Sequence, residues 1–254
     1  MCGRFSNAAS FSEIQIALKV EQLEFFREWQ PTYNICPTYG AGFEQLIVTR
    51  TREGKRAIRL GRWWMIPWFW KKPLKSLPTS FNARSDEIQT KPFWRDAFRS
   101  SRCLVPATGW REFVGKPGKK QPHHFHFGHQ LFAFAGLWST WIAGNGEVVD
   151  SFAIVTTEPS KEAAKVHDRM PLVLPAECYD SWLAAEDPMP ALNTARAVSL
   201  TLPLEIYASD PIGNGSSYEG PKAIAPFVAK EEAPQPVQQT FAWAERSPGP
   251  RKRA

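Results

Sequence analysis

Residues 102–157 read RCLVPATGWREFVGKPGKKQPHHFHFGHQLFAFAGLWSTWIAGNGEVVDSFAIVTT. Short apolar and aromatic segments follow one another there, separated by Gly, Pro and Asn turns. This pattern predicts five successive β-strands, at 102–106, 110–114, 121–127, 131–141 and 151–157. Strands that come in runs, not in alternation with helices, indicate an α+β fold around a curled, mainly antiparallel sheet. We therefore expect a barrel-like sheet flanked by helices.

Segments on either side of this run complete the fold prediction. Ser10 and Glu13 form an S-x-x-E capping box ahead of apolar residues near helical spacing, which predicts a helix over 11–28. Further strands are expected at 46–48 and 57–66, and further helices at 92–99, 159–166 and 175–185. We expect one domain over residues 1–227. Residues 228–254 carry four prolines and a basic end, which favours a disordered tail.

Composition excludes several classes of protein. The chain has 254 residues, 43% hydrophobic and 22% charged, values that fit a globular protein and not a collagen-like, coiled-coil or disordered one. No apolar run of about 18 residues predicts a membrane span, and no signal for secretion precedes residue 11. The four cysteines lack paired C-x-x-C spacing, which disfavours a zinc knuckle or a disulfide scaffold. A cytoplasmic protein fits best.

Positive charge is concentrated in one part of the chain. Residues 50–120 contain 18 Lys or Arg and 5 Asp or Glu, a local net charge of +13 in a chain of net charge +6. Within this segment, residues 68–73 (WFWKKP) are both aromatic and basic. Such a segment predicts a face that binds a polyanion, although a solvated surface is the alternative.

Cys2 is the residue with the most distinctive chemistry. Aminopeptidases remove Met1 before a small residue, so we expect a mature chain that begins with an α-amine beside a thiol. This aminothiol condenses with an aldehyde to an imine, and the thiol then closes a thiazolidine ring. The α-amine has a pKa of about 7.7–8.0, so part of it is neutral at physiological pH. We expect nearby Arg4 or a protonated histidine to lower the pKa of the thiol.

Five segments together resemble the motifs of one family, in the same order along the chain. They are Met1-Cys2-Gly3-Arg4-Phe5, Tyr33-Asn34-Ile35-Cys36-Pro37, Phe81-Asn82-Ala83-Arg84-Ser85, Gly109-Trp110-Arg111-Glu112-Phe113, and Val166 to Leu174 (VHDRMPLVL). The chain resembles the SRAP family, the SOS-response-associated peptidases or abasic-site processing proteins, from residue 2 to about residue 215.

The resemblance implies a reaction with damaged DNA. Family members bind single-stranded DNA that contains an abasic site and cross-link to its ring-opened aldehyde, which shields the lesion; a lyase-type strand cleavage and an autopeptidase release of the first residue are also implied. Carried over residue by residue, the catalytic set is Cys2 as nucleophile, Asn82 as hydrogen-bonding partner, Glu112 as acid/base and His167 as proton donor. Glu112 lies in an apolar strand, where burial would raise its pKa. His167 would titrate near 6.5.

The resemblance also implies the DNA-binding residues. Arg side chains grip phosphates with a planar fork, and aromatic side chains stack on bases whatever their sequence. The positions carried over are Arg4, Asn34, Pro37, Phe69, Trp70, Arg84 and Arg169. Trp63 and Trp64 are expected to fill the core. His124 and His126 share a strand face, but a metal site needs a third ligand, so no metal and no cofactor is expected.

Two other functions remain open at the level of sequence. One is a cysteine peptidase that uses Cys2 on other proteins, and the other is a non-catalytic module that binds single-stranded DNA. The expected partner in the favoured interpretation is single-stranded DNA with an abasic site. We expect a monomer that acts in the cytoplasm at damaged sites of the nucleoid, or in the nucleus of a eukaryote.

Overall fold

The computed structural model describes residues 2–24, 28–37 and 44–228. Four α-helices lie within these ranges: α1 Phe11–Ala17, α2 Pro92–Ser100, α3 Tyr179–Ala184 and α4 Pro188–Ser199. The strands are β1 Phe5–Asn7, β2 Gln22–Leu23, β3 Thr32–Ile35, β4 Glu44–Arg50, β5 Arg56–Trp63, β6 Asn82–Arg84, β7 Arg102–Ala107, β8 Gly109–Val114, β9 Gln121–His126, β10 Phe132–Ile142, β11 Val148–Thr157, β12 Met170–Pro171, β13 Val173–Leu174 and β14 Glu205–Ala208.

The larger sheet closes on itself. Its strands pair in the order β5-β4-β7-β10-β11, and β11 also pairs with β5, at Ser151 with Arg62 and Phe152 with Trp63. A sheet whose last strand returns to its first is a barrel. The pairings of β11 with β5 and β6, and of β2 with β5, are parallel; the other ladders of the described chain are antiparallel. The prediction of a curled, mainly antiparallel sheet is confirmed.

A second sheet, in the order β14-β9-β8-β1-β3, packs on the barrel. Phe5 on β1 meets Trp63 of the barrel with ring centroids 4.9 Å apart, and Trp110 on β8 meets Phe134 at 6.0 Å. These rings are almost completely buried and share one hydrophobic core. The aromatic side chains of this cluster therefore fill the space between the two sheets, and this packing fixes β8 and the amino-terminal segment against the barrel.

Most predicted strands and the helix at 92–99 are confirmed within two or three residues. The first helix is shorter than the predicted range 11–28. Its capping box forms as expected, but the helix ends at Ala17, and Lys19 adopts a φ of 49°. This left-handed residue turns the chain so that Gln22 and Leu23 pair with β5. Residues 25–27 of the predicted helix lie outside the described residues.

The other helix predictions have mixed outcomes. Segment 159–166 contains only a 3₁₀ turn at Ala163–Lys165, and segment 175–185 divides into a 3₁₀ turn and α3. Helix α4 was not predicted, because its first residues are Pro188-Met189-Pro190. Asp187 caps it through Met189 N–H, at 3.0 Å, and both prolines sit in the first turn.

Within the described ranges, no helix is both long and apolar enough to cross a membrane. The predicted tail begins at Val228, and the remainder of it, residues 229–254, lies outside the described residues.

Candidate reactive site around Cys2

Asn82 lies where β6 joins the barrel beside β11. The backbone carbonyl of Phe81 accepts hydrogen bonds from Trp63 Nε1 at 2.8 Å and from Ile154 N–H at 3.0 Å. These bonds fix the start of β6. The Asn82 side chain then donates from Nδ2 to the carbonyl oxygen of Cys2 at 2.7 Å. Asn82 therefore holds the amino-terminal segment against the barrel.

Glu112 lies on β8, whose partner β1 follows the amino-terminal segment; Arg111 N–H donates to Arg4 O at 2.9 Å. The Glu112 side chain points inward, and the residue is only 4% exposed. Burial raises the pKa of Glu112 to about 7, and the negative charge of Asp168 acts in the same direction. The expectation of a desolvated carboxyl at this position is confirmed, so Glu112 can hold or release a proton near neutral pH.

His167 follows the 3₁₀ turn at Ala163–Lys165 and faces Glu112. Its Nε2 lies 4.0 Å from Glu112 Oε2, and its Nδ1 lies 2.8 Å from Asp168 Oδ1 and 3.0 Å from the backbone nitrogen of Arg169. Burial lowers the pKa of His167 below its usual range, against the expectation that it titrates near 6.5. At pH 7 the imidazole is therefore mainly neutral, and Glu112 is the better source of a proton.

Cys2 is completely buried. Its Sγ donates to Arg4 O at 3.8 Å. Burial raises the pKa of the thiol well above its usual value, and the nearby Glu112 carboxylate adds to the shift. The expectation that Arg4 lowers this pKa is wrong, because the Arg4 guanidinium turns away to Asn34 and to the carbonyl oxygens of Asn214 and Gly215.

The four residues carried over as catalytic therefore meet at one place. They come from the amino-terminal segment, β6, β8 and the loop before β12, and no local sequence pattern links these segments. The contacts that join them are Asn82 to Cys2, Glu112 to His167, and the electrostatic effect of Glu112 on the Cys2 thiol. A thiol, a carboxyl that titrates near pH 7 and a neutral imidazole can together move protons around a carbonyl compound.

Arg84 and Arg169 form a cationic rim close to this site. Arg84 ends the strand that begins at Asn82, and Arg169 lies two residues after His167. Arg84 Nη2 lies 2.8 Å from Asp86 Oδ2, while Arg169 Nη2 donates to Thr156 O at 2.7 Å and lies 3.5 Å from Asp86. The Arg84 side chain is about half exposed and that of Arg169 mostly buried.

Arg4 and Asn34 are engaged inside the protein. Asn34 is 3% exposed; its Oδ1 accepts from Arg4 Nη1 at 2.7 Å and from Arg111 Nη2, and its Nδ2 donates to Gly215 O at 2.8 Å. This arrangement gives Asn34 a structural role and leaves only Arg4 partly accessible. Pro37 is partly exposed and precedes residues 38–43, which lie outside the described residues.

In the aromatic loop after β5, residues 68–70, the most exposed ring is not one of the two that the family resemblance predicts to contact DNA. Phe69 and Trp70 are half-buried, and Trp70 O accepts a hydrogen bond from Trp141 Nε1 at 2.8 Å. Trp68 is 64% exposed. Trp63 lies in the core as expected, whereas Trp64 is only partly buried. The dense WFWKK run was the available signal for Trp68, but sequence alone does not say which ring faces outward.

The basic segment 50–120 is only in part a surface. Arg56 pairs with Asp180 at 2.6 Å, Arg59 pairs with Asp150 at 3.1 Å, and Arg102 donates to backbone carbonyls that include Phe98 O at 2.7 Å. Arg111 is completely buried. These arginines hold elements together, so they do not contribute to the polyanion-binding face that the segment predicts. Exposed lysines remain beside the aromatic loop, at Lys71, Lys72 and Lys75.

The histidines on β9 form a stack. The rings of His124 and His126 lie on the same face, 5.6 Å apart, and His126 and His129 stack at 3.9 Å. Across residues 2–24, 28–37 and 44–228, no group of three His, Cys, Asp or Glu residues could hold a metal ion. The stack packs against Tyr207, with 5.4 Å between the ring centroids of His124 and Tyr207.

The comparison with family models gives the class of protein. The model described as SOS response associated peptidase (SRAP) matches residues 1–207, most of the chain. This chain belongs to the SRAP family. The match covers all four residues of the site around Cys2.

Individual relatives agree with this assignment. The chain is 34% identical over 187 residues to abasic site processing protein YoqW of Bacillus subtilis, covering 72% of this chain and 80% of the relative. It is 25% identical over 272 residues to abasic site processing protein HMCES of Xenopus tropicalis, covering 91% and 80%. Among solved structures, a Bacteroides thetaiotaomicron protein superposes with a TM-score of 0.72 at 21% identity, covering 89% of this chain and all of that one, which supports the fold.

Proposed function

We propose that this protein recognises abasic sites in single-stranded DNA and forms a covalent thiazolidine cross-link to them through Cys2, shielding the lesion. The observation that carries this proposal is the buried Glu112 carboxyl, with a pKa of about 7, beside the His167 imidazole and the Cys2 thiol. The names of the relatives, abasic site processing proteins, support the same substrate.

The reaction begins once Met1 is removed, by an aminopeptidase or by hydrolysis within the protein itself. The α-amine of Cys2 adds to the aldehyde carbon of the ring-opened sugar and gives a carbinolamine. Loss of its hydroxyl as water leaves an imine. The Cys2 sulfur then bonds to the imine carbon, the thiol proton moves to the nitrogen, and the thiazolidine closes. One water leaves overall, and no oxidant or reductant is consumed.

Proton transfer divides between two residues of the site. Glu112 in its protonated form delivers a proton to the departing hydroxyl, because its pKa of about 7 keeps part of it protonated at neutral pH. His167, with a lowered pKa, is mainly neutral and accepts the proton that leaves the attacking amine. Asn82 holds the Cys2 carbonyl at 2.7 Å and so orients the amine next to it. If the imine does not close, elimination of the 3′ phosphate gives a lyase-type cleavage of the strand.

The pKa of the Cys2 thiol favours this reaction over a cysteine peptidase acting on other proteins. A peptidase needs a thiolate, and thiolates occur where positive charge lowers the pKa. Here burial and the Glu112 carboxylate raise the pKa of the thiol by more than the positive amino terminus lowers it. A thiol that adds to a preformed imine meets a strong electrophile already held in place, so it does not need to be ionised beforehand.

The test is a denaturing gel of mature protein with single-stranded DNA that carries an abasic site. We expect a heat-stable species of reduced mobility, whose mass equals protein plus DNA minus one water. A tetrahydrofuran analogue of the sugar, which has no aldehyde, is the matched substrate control and should bind without cross-linking.

Two further controls bear on the nucleophile. Cys36→Ala removes a different free thiol, which is partly accessible, and should leave the adduct intact. A retained amino-terminal extension should prevent the adduct, because the imine precedes the ring. An adduct that survives the extension, or that forms with the tetrahydrofuran analogue, would contradict the proposal.

A further inference from the structure

The chain beyond the family match returns to the sheet that carries the reactive site. The match ends at residue 207, and residues 211–224 follow, with 3₁₀ turns at Pro211–Asn214 and Pro221–Ile224. We call residues 211–224 the C-terminal strap. Its base is fastened to the sheet, since Ser209 N–H donates to Pro122 O at 2.9 Å.

Side chains from three of the family motifs bind the strap. Arg111 donates from Nη1 to Gly213 O at 3.2 Å and to Ala223 O at 3.1 Å. Arg4 donates from Nη2 to Asn214 O at 3.2 Å, and Asn34 donates from Nδ2 to Gly215 O at 2.8 Å. These three side chains also meet one another at Asn34 Oδ1.

Arg111 carries a buried charge, and carbonyl oxygens of the strap help to stabilise it. The residue is completely buried, and burial lowers its pKa to about 10, so it remains a cation at neutral pH. A buried cation without hydrogen-bonding partners is strongly unfavourable. The carbonyl oxygens of Gly213 and Ala223, together with Asn34, take the place of water. If the strap moved, Arg111 would have to move toward water.

A movement of Arg111 would reach the reactive residues directly. Arg111 and Glu112 are neighbours on β8, with side chains on opposite faces. The backbone of Arg111 bonds to Arg4, which lies two residues from Cys2 and is itself bound to the strap. A continuous set of contacts therefore links the strap, through Arg111 and Arg4, to Glu112 and Cys2.

We propose that the C-terminal strap is a positioning element of the reactive site, acting through Arg111 on Glu112 and through Arg4 on the segment that carries Cys2. This inference rests on the proposed cross-linking function. Arg111 touches no substrate in it, so its contribution is to the rate of the reaction and to the environment of Glu112, not to DNA affinity.

Two strap glycines offer a matched pair of variants. A Cβ at Gly213 would overlap with Arg111 Nη1 and lie 2.9 Å from the Ala223 Cβ, so Gly213→Ala must displace the Arg111–strap contact. A Cβ at Gly215 would meet Ser217 Oγ only at 3.9 Å, so Gly215→Ala is the control. Neither glycine has a positive φ, so the two substitutions differ in contact and not in backbone strain.

The experiment measures the single-turnover cross-linking rate at saturating abasic DNA from pH 5 to 9, and separately the Kd for undamaged single-stranded DNA. Gly213→Ala should slow cross-linking by about 10–100-fold and shift the pH midpoint, as a misplacement of about 1 Å can do. Its Kd should change less than about twofold. Gly215→Ala should match wild type in both. Equal rates and midpoints for both variants and wild type would overturn the inference.

A second variant covers the case in which Gly213→Ala does not fold. Arg111→Lys retains the charge, but its compact ammonium cannot replace the fork that reaches Gly213, Ala223 and Asn34 together. It should slow cross-linking and shift the midpoint in the same direction. Wild-type rate and midpoint in Arg111→Lys would overturn the inference just as clearly.

A measurement without DNA separates this inference from the proposed function. Carbon-13 NMR of the Glu112 carboxyl, assigned with Glu112→Gln, gives its pKa in the free protein. A shift in Gly213→Ala but not in Gly215→Ala supports the positioning role even if wild type forms no adduct. No shift in either variant refutes the role even if wild type cross-links normally.

Discussion

The buried environment of Glu112 disfavours the ionised carboxylate and therefore lowers the stability of the fold once this group loses its proton. Its folded pKa of about 7 lies above the ordinary value of 4.5, so the folded state binds its proton more tightly than the unfolded state does. The contribution of Glu112 to the free energy of unfolding therefore falls as pH rises from about 4.5 to 7, and the whole loss is present above 7. By these two pKa values the loss is roughly 3 kcal/mol.

We therefore expect Glu112→Gln to be more stable than wild type at pH 8, with a smaller difference at pH 4, where wild type is protonated in both states. Urea unfolding at the two pH values measures this. The exposed Glu186→Gln is the control and should show no such pH-dependent gain. The Glu112→Gln variant should also cross-link about 10²–10⁴-fold more slowly than wild type. A stability difference between wild type and Glu112→Gln that does not grow with pH would contradict the buried, protonated carboxyl.

The aminothiol has two halves that substitution can separate. Cys2→Ala with Met1 removed keeps the α-amine but not the thiol, so the imine still forms and the ring cannot close. We expect this variant to lose the heat-stable adduct, to give strand scission and to be trapped on DNA by borohydride. A stable adduct without reductant would indicate another nucleophile, such as a lysine.

The burial of the Glu112 carboxyl was predictable from sequence, because Trp110 and Phe113 beside it indicate an apolar strand. Sequence reasoning failed for the pKa of the Cys2 thiol. The direction of that pKa depends on where Arg4 turns, and Arg4 turns toward Asn34 and the strap, residues 30 and more than 200 positions away.

The aromatic loop after β5 contains two tryptophans that we expect to differ in role. Trp68 is exposed, whereas the Trp70 ring packs near Phe93, with 6.5 Å between the ring centroids. Trp68→Ala should weaken binding of undamaged single-stranded DNA by about 1–3 kcal/mol at unchanged Tm. Trp70→Ala should lower Tm more than it lowers affinity. Fluorescence anisotropy gives the affinity and thermal unfolding gives the Tm. A larger loss of affinity in Trp70→Ala than in Trp68→Ala would indicate that Trp70 is the residue that stacks on a base.

Elements with strong local signals were predictable, and those set by distant contacts were not. The strand run of residues 102–157 alternates apolar segments with turn residues, and the structure follows it closely. The end of α1 depends on pairing of Gln22 and Leu23 with β5, more than 30 residues ahead. Strand β14 forms because it pairs with β9 at the edge of the second sheet, and its short sequence does not predict this pairing.

The reactive site exists only because the barrel closes. Pairing of β11 with β5 and β6 brings Asn82 to the edge where the amino-terminal segment passes, and the loop before β12 brings His167 to Glu112. The spacing of these four segments along the sequence does not predict that they lie close together. Their resemblance to a family's motifs indicated the residues, and the topology supplies the physical reason that they lie close together.

We expect the distribution of charge over the surface to govern the approach of this protein to DNA. Several arginines of the basic segment are paired inside, so the number of phosphates that the protein neutralises must be smaller than the local net charge of that segment suggests. We expect the affinity for undamaged single strands to fall with salt, with a log–log slope of about 0.7 for each phosphate contacted. Affinity that stays flat from low to physiological salt would exclude an electrostatic DNA face.

The position of that face can be tested by charge reversal at two places near the ends of β5. Lys71 and Lys72 lie beyond the last residue of β5, whereas Arg52 and Lys55 lie at the turn before its first residue, and the eight-residue strand between the two pairs spans about 26 Å. All four are exposed. Lys71→Glu with Lys72→Glu should reduce the salt slope by about 1.4, two phosphate contacts, and weaken binding. Arg52→Glu with Lys55→Glu changes the net charge equally and should leave the slope within about 0.3 of wild type, because exposed charges at about that distance are screened. Equal losses of affinity and salt slope in the two double variants would mean that DNA binding depends on net charge alone, and not on a face beside Trp68.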